Sequence, residues 1–273
     1  MDFLIEHYSS YAYSIPVYLE PHHLYFYPAA RPHIKIVEFD LQISPEPQGY
    51  SARIDAENNI YHQCWFEDKI DTLTVTAISR ISTKPTNPFH FIVDQNPVTN
   101  QKEALNLYAV TETELSDNLK LWLGNLHSDG NDTIDFLKNL VGEISNGWQH
   151  TIRYGDTLME PNDCYQEKVG SCRDLSWMMM ESLRHFEMPT RFVSGYCFNP
   201  ELTGHELHAW VEVWINGAGW VGVDPSAGLF VTQDYIPISA SYSPSNTLPV
   251  QGTYRGDAQS KLTTAVDISL LSD

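Results

Sequence analysis

The most constraining stretch of the chain runs from Gly170 to Asp224, where the hydrophobic period changes from helical to alternating and three chemically able side chains sit near the changes. Gly170-Ser171-Cys172-Arg173-Asp174 opens it. Ser171 and Asp174 have the spacing of a capping box, a hydroxyl and a carboxylate three residues apart that satisfy free amides of a first helical turn. Leu175, Met179, Leu183 and Phe186 then recur at steps of three and four, one buried helical stripe that Pro189 ends. Thr190 to Phe198 is aromatic and β-branched, which predicts a strand. His208 to Trp214 alternates strictly, with His208, Trp210, Glu212 and Trp214 on one face and Ala209, Val211 and Val213 on the other. Asn216-Gly217-Ala218-Gly219 reads as a turn, and Trp220 to Asp224 as the return strand of a hairpin. In an even register His208 and Asp224 share a face of that hairpin, and a helix start docked against that face would bring Cys172 to them.

A cysteine at the first position of a helix lies at the positive end of the helix dipole, which favours thiolate over thiol. An adjacent imidazolium lowers the thiol further from its ordinary value of about 8.5. The order cysteine, histidine, aspartate therefore predicts a nucleophile, a base and a carboxylate that orients the base. The Cys172 amide, free at the helix start, is the expected oxyanion donor. Metal chemistry is not expected. His22 and His23 are neighbours in a strand and face opposite sides, and so do His205 and His208; neither pair fits joint ligation.

Gly-Ser-Cys-Arg-Asp, Arg-Phe-Val-Ser-Gly-Tyr, His-Ala-Trp-Val-Glu-Val and Gly-Trp-Val-Gly-Val-Asp-Pro-Ser together resemble the bacterial transglutaminase-like superfamily, whose core is similar to that of papain-type cysteine proteases. Tyr8 to Tyr13, Pro21 to Pro28 and Ile43-Ser44-Pro45-Glu46-Pro47 look like the β-rich region that precedes this core in bacterial members, and Val250 to Gly256 looks like their terminal segment. The resemblance implies an α+β chain: an N-terminal β-sandwich, then a core in which a helix bearing the cysteine packs on an antiparallel sheet bearing the histidine and aspartate. It implies a cysteine-dependent acyl-transfer enzyme acting on peptide or amide bonds, with Cys172 as nucleophile, His208 as general base and acid, and Asp224 fixing the histidine tautomer. Gln166, six residues before Cys172, stands where papain-like enzymes keep an oxyanion-binding amide and is a candidate for that role. Trp148, Tyr154 and Trp210 are candidates to line a substrate cleft, with Trp214 and Trp220 helping Trp210 to wall the site. Hydrolysis is favoured over cross-linking, because no calcium loop of the D-x-D-x-D-G kind is visible. A peptide-binding module that keeps the fold without turnover is the rival expectation.

At 273 residues, two domains are the default. Six β-branched or aromatic runs between Phe3 and Ser82, separated by Pro, Gly, Asn and Asp, predict a sandwich over residues 1–85. A proline-marked linker over 86–110 follows, then a catalytic core over 111–273 whose final segment, Ala258 to Leu271, adds an edge strand. Thr113 to Leu126 and Asn131 to Trp148 carry apolar stripes at helical spacing. The net charge of −19, from 35 acidic and 16 basic residues, repels phosphate backbones and anionic lipid, so nucleic acid and membrane surfaces are poor partners and a peptide or protein substrate is expected. The first residues lack the basic start and apolar run of a secretory signal, so the expected location is cytoplasmic. The four cysteines show neither a C-x-x-C pair nor a zinc spacing and are expected to be thiols, with Cys64 and Cys197 packed in the core and Cys164 in an exposed loop. No cofactor or metal is implied.

Overall fold

The computed structural model describes residues 1–94, 100–127, 132–153, 157–201 and 205–271. Its N-terminal part is built from β1 (Asp2–Leu19), β2 (His22–Leu24), β3 (Ile34–Ser44), β4 (Gly49–Ile54), β5 (Ile60–Trp65) and β6 (Ile70–Thr83). β1 pairs along its length with β6, with an irregularity between Ala12 and Val17 that brackets Pro16, a residue unable to donate to a ladder. β3 continues that sheet beyond β6, while β2, β5 and β4 form a second sheet. Alternate residues meet between the two sheets: Tyr13, Val17, Leu24, Phe26, Cys64, Leu73 and Val75 are buried together.

The helices of the core are α1 (Asn100–Ala109), α2 (Asp117–Leu126) and α3 (Thr133–Gly147), capped at α2 by the Ser116 hydroxyl and at α3 by the Asp132 carboxylate. Helix α1 occupies part of the stretch expected to be linker. Its Gln101-Lys102-Glu103-Ala104-Leu105 run has high helix propensity despite the flanking turn formers. Next come β7 (Gln149–His150), α4 (Pro161–Glu167), β8 (Val169–Gly170) and α5 (Cys172–Arg184). The main sheet is antiparallel, with β9 (Thr190–Cys197), β10 (His208–Ile215), β11 (Gly219–Asp224), β12 (Leu229–Phe230) and β13 (Tyr235–Ser241) in the order β12-β11-β10-β9-β13.

One face of that sheet, through Phe192, Ala209, Val211, Val213 and Val223, packs on Leu175, Met178, Met179 and Leu183 of α5 and on Leu119, Leu137 and Leu140 of the preceding helices. Its other face meets the N-terminal sheet, where Tyr196, Ile236 and Ile238 pack on Phe3, Ile5, Ile81 and Ile268. The two parts are also clamped by charge. Arg31, on the connection from β2 to β3, and Arg191 of β9 both bind the buried Glu212 carboxylate of β10.

The chain then returns to the N-terminal part as β14 (Val250–Gln251), β15 (Tyr254–Arg255) and β16 (Ser260–Leu271). β14 adds to the second N-terminal sheet beside β2, and β15 and β16 both lie along β1, with Asp2 opposite Leu271 and Tyr13 opposite Ser260. The final edge strand therefore belongs to the N-terminal sheet and not to the core that the sequence reading extended to residue 273. The alternation announces a strand, but its partner is set by β1 having an unfilled edge. Among the described residues, no helix is long and apolar enough to cross a membrane.

Candidate active site

The start of α5 is set by local chemistry. The Ser171 hydroxyl accepts from the Asp174 amide and the Asp174 carboxylate accepts from the Ser171 amide, the reciprocal cap expected from the sequence. Asp174 is almost fully buried and also binds the Met159 amide at 2.7 Å and Arg153 at 2.9 Å. Burial pushes its carboxyl up, but these donors outweigh it and hold the group below its ordinary range. Cys172 thus begins a rigidly anchored helix, and its side chain is partly exposed.

On the hairpin, Val211 lies opposite Val223. By parity His208 and Asp224 fall on the same side of the sheet, as the even register required. Helix α5 packs on the opposite face, so the thiol meets the imidazole at the first residue of β10 and not over the middle of a shared face. His208 Nε2 is 2.7 Å from Asp224 Oδ2, which leaves Nδ1 for the sulfur. Asp224 is fully buried and its oxygens are saturated. Oδ1 accepts from the Ser226 amide at 2.9 Å, the Ser226 hydroxyl at 2.7 Å and the Ala227 amide at 3.2 Å, while Oδ2 also accepts from the Tyr235 hydroxyl at 2.7 Å.

The three groups stabilise one another's charge. Burial pushes Asp224 up, yet the His208 charge and these donors bring it down to about 2. Burial disfavours a charged His208, but the Asp224 charge and hydrogen bond, joined by Cys172, raise it well above its ordinary value. Burial likewise pushes the Cys172 thiol up, and hydrogen bonds with His150, His208 and the Ala209 amide, together with the His208 charge, bring it down to about 6. Each shift is toward the charged form: the carboxylate at Asp224, the imidazolium at His208 and the thiolate at Cys172.

Trp210 is fully buried behind His208, its ring 6.3 Å from the imidazole and near parallel to it, and it meets Tyr235 edge-on at 5.3 Å. Gly195, paired with His208, makes room for it: a Cβ there would lie 2.7 Å from the Trp210 ring. Trp214, Trp220 and Trp148 pack elsewhere. Trp214 and Trp220 form a cross-strand pair at the turn end of the hairpin, where Trp220 packs on Tyr108 and Arg191. Trp148 is buried among the helices, with its indole N–H donating to the Cys164 carbonyl and the Lys168 ammonium over its ring. Gln166 is exposed on α4 and lines a groove with Ser116, Asn118, Trp122 and Tyr165 that contains none of Cys172, His208 or Asp224. Six residues of separation carry Gln166 elsewhere because it lies on α4, and the left-handed Lys168 that ends that helix and the β8 extension stand between it and Cys172. Tyr154 lies outside the described residues.

Cys164 is buried and not exposed, because α4 forms around Pro161-Asn162-Asp163 and turns the thiol into the helical core, where burial pushes it up to about 12. All four cysteines are free. His205 stacks on Phe198 and bonds to Asn199, apart from His208. Among the described residues, no group of three or more His, Cys, Asp or Glu is arranged to hold a metal ion. Sequence reasoning missed two groups at the site. The Tyr235 hydroxyl binds Asp224 from a strand eleven residues further on, and His150, in the Trp-Gln-His-Thr-Ile-Arg run, interacts with Cys172 with no local pattern to announce it.

The comparisons to known proteins concern the fold that carries this geometry. Residues 123–225 match the model of the transglutaminase-like superfamily, and residues 3–82 match that of the bacterial transglutaminase-like N-terminal region. The core of the chain, residues 123–225, belongs to the transglutaminase-like superfamily. A solved structure from Cytophaga hutchinsonii, described as "a putative cysteine protease", superimposes with a TM-score of 0.77 at 16% identity, over 100% of this chain and 92% of that one, which establishes a shared fold. An uncharacterised protein of Mycobacterium tuberculosis is 22% identical over 260 residues, 86% of this chain and 82% of the relative. One from Mycobacterium leprae is 28% identical over 117 residues, so the match spans only 41% of that relative's length. Membership of this superfamily supports an enzyme that works through a cysteine.

Proposed function

We propose that the chain is a cysteine-dependent acyl-transfer enzyme that cleaves peptide or amide bonds through Cys172, His208 and Asp224. The observation that carries this reading is the 2.7 Å contact between His208 Nε2 and a fully buried Asp224, which leaves Nδ1 of an imidazole that Cys172 also influences. The thiolate attacks the carbonyl carbon and the carbonyl π pair moves to oxygen. There the Cys172 amide, at a helix position with no intrahelical acceptor, donates to the developing charge. The tetrahedral species collapses, the C–N bond breaks, and the His208 Nδ1 proton goes to the leaving amine, leaving a thioester. Water then attacks the thioester, His208 takes its proton, and the thiolate departs with its electron pair restored. An amine in place of water would make the same site a cross-linker. Water is preferred because the sequence carries no calcium-loop motif to gate a cross-linking activity. The substrate is a peptide or protein, and the four free thiols suit a reducing, cytoplasmic setting.

The test is alkylation by iodoacetamide at pH 6 with mapping of the modified cysteine, followed by a screen of peptide amides with and without an added primary amine. Cys172 should react ahead of Cys64, Cys164 and Cys197, and Cys172→Ala should abolish turnover of any amide found. Amide turnover that survives Cys172→Ala refutes the assignment. A product carrying the added amine identifies transamidation.

A further inference from the structure

The sulfur of Cys172 has a second imidazole beside it. His150 lies in β7, which pairs in parallel with β8, His150 opposite Gly170 and two residues before the nucleophile. The Gln149 amide donates to the Lys168 carbonyl at 2.8 Å and the Thr151 amide to the Gly170 carbonyl at 2.9 Å. Backbone bonds on either side of residue 150 therefore pin it to the junction that also launches α5. His150 is an exposed residue whose backbone is pinned beside Gly170, and its ring and the Cys172 thiol each shift the other's proton affinity, whereas His208 is backed by buried Asp224 and Trp210. The two imidazoles thus have different surroundings on one sulfur.

We propose that His150 is a catalytic residue, donating a second N–H to the Cys172 thiolate so that the resting nucleophile is held by two imidazoles. The inference rests on the cysteine-enzyme reading and deepens it. Charge-assisted donors to sulfur stabilise the anion over the thiol. The effect must be mutual, because a thiolate that is stabilised by a donor raises that donor's proton affinity in return. This matches the raised His150, in which the hydrogen bond to Cys172 outweighs burial and the neighbouring His208 charge. When the sulfur becomes a thioester it loses its negative charge, and the exposed His150 is released from it at the moment a second nucleophile must approach.

The test measures the rate of iodoacetamide alkylation of Cys172 against pH in the full chain and in His150→Leu and His150→Gln. His150→Leu should react at least about tenfold more slowly near pH 6, and equally fast or faster above about pH 9, since a more basic thiolate is the better nucleophile once formed. His150→Gln, which keeps an N–H donor, should recover part of the loss. Superimposable profiles for His150→Leu and the unaltered chain overturn the proposal. Ring titration of His150 by NMR, in the unaltered chain and in Cys172→Ala, applies the same test without changing residue 150. The His150 pKa should fall when the sulfur is removed, and an unmoved titration overturns the proposal. A Cys172 in the unaltered chain that reacts no faster than the buried thiols is a different result, which sinks the parent reading whatever His150 does.

Discussion

Replacing Asp224 by Asn is the sharpest perturbation of the site. Oδ1 of residue 224 faces three donors, the Ser226 amide and hydroxyl and the Ala227 amide, so an asparagine would leave its carbonyl oxygen there and turn its NH2 toward His208 Nε2 and Tyr235. An NH2 in that place donates to Nε2 and forces the imidazole proton onto Nδ1. The carboxylate that balanced the imidazolium is gone. Two charges about 4 Å apart at an effective dielectric of about 20 attract by about 4 kcal/mol, so the imidazolium loses roughly three orders of magnitude in stability. The Cys172 thiol, held at about 6 partly by that charge, should then titrate nearer its ordinary value of about 8.5. Alkylation at pH 6 should fall by about two orders of magnitude, and turnover of an amide substrate by about three to four. The assay is the pH profile of iodoacetamide modification at Cys172, with circular dichroism to verify that the variant is folded. A folded Asp224→Asn chain whose profile still rises through pH 6 would refute the electrostatic account of the site.

Three further outcomes follow from the same coordinates. Tyr235→Phe removes one neutral donor from a buried carboxylate but leaves its charge, so it should cost about 2 kcal/mol in urea unfolding while the alkylation profile stays close to that of the unaltered chain. Glu212→Ala leaves Arg31 and Arg191 without their shared carboxylate between the N-terminal part and the main sheet, and should cost about 3 kcal/mol by the same measurement. His7 is buried, bonded to Tyr196 and lowered by burial to about 4, so the unfolded chain binds its proton more readily. The stability this contributes is complete above the ordinary histidine value of about 6.5 and is lost as pH falls toward 4. Urea midpoints should drop across that window, and His7→Gln should shrink the drop; a decline confined to lower pH would instead point to Asp224, Asp174 and Glu212, all lowered carboxyls.

Much of the site is written in local spacing. The Ser171–Asp174 cap depends on residues three apart, and the shared side of His208 and Asp224 depends only on alternation along two strands joined by a short turn, so both are legible from the chain. The same holds for the six N-terminal strands and the stripe of α5. Cys164 is a harder case: its loop-like neighbours describe how α4 begins and say nothing of which way its thiol turns.

By itself, then, the sequence determined the order of the reacting groups, the start of the helix that presents the thiol and the parity that puts imidazole and carboxylate together. Only the tertiary structure decided that Tyr235 caps the carboxylate, that His150 reaches the sulfur through a two-residue parallel pairing, that Gln166 lies on another surface and that β16 closes the N-terminal sheet. The physical reason is the range of the interactions. Periods of two and of 3.6 residues state which side of an element is buried, but the identity of the surface that buries it depends on edges and faces contributed by distant parts of the chain.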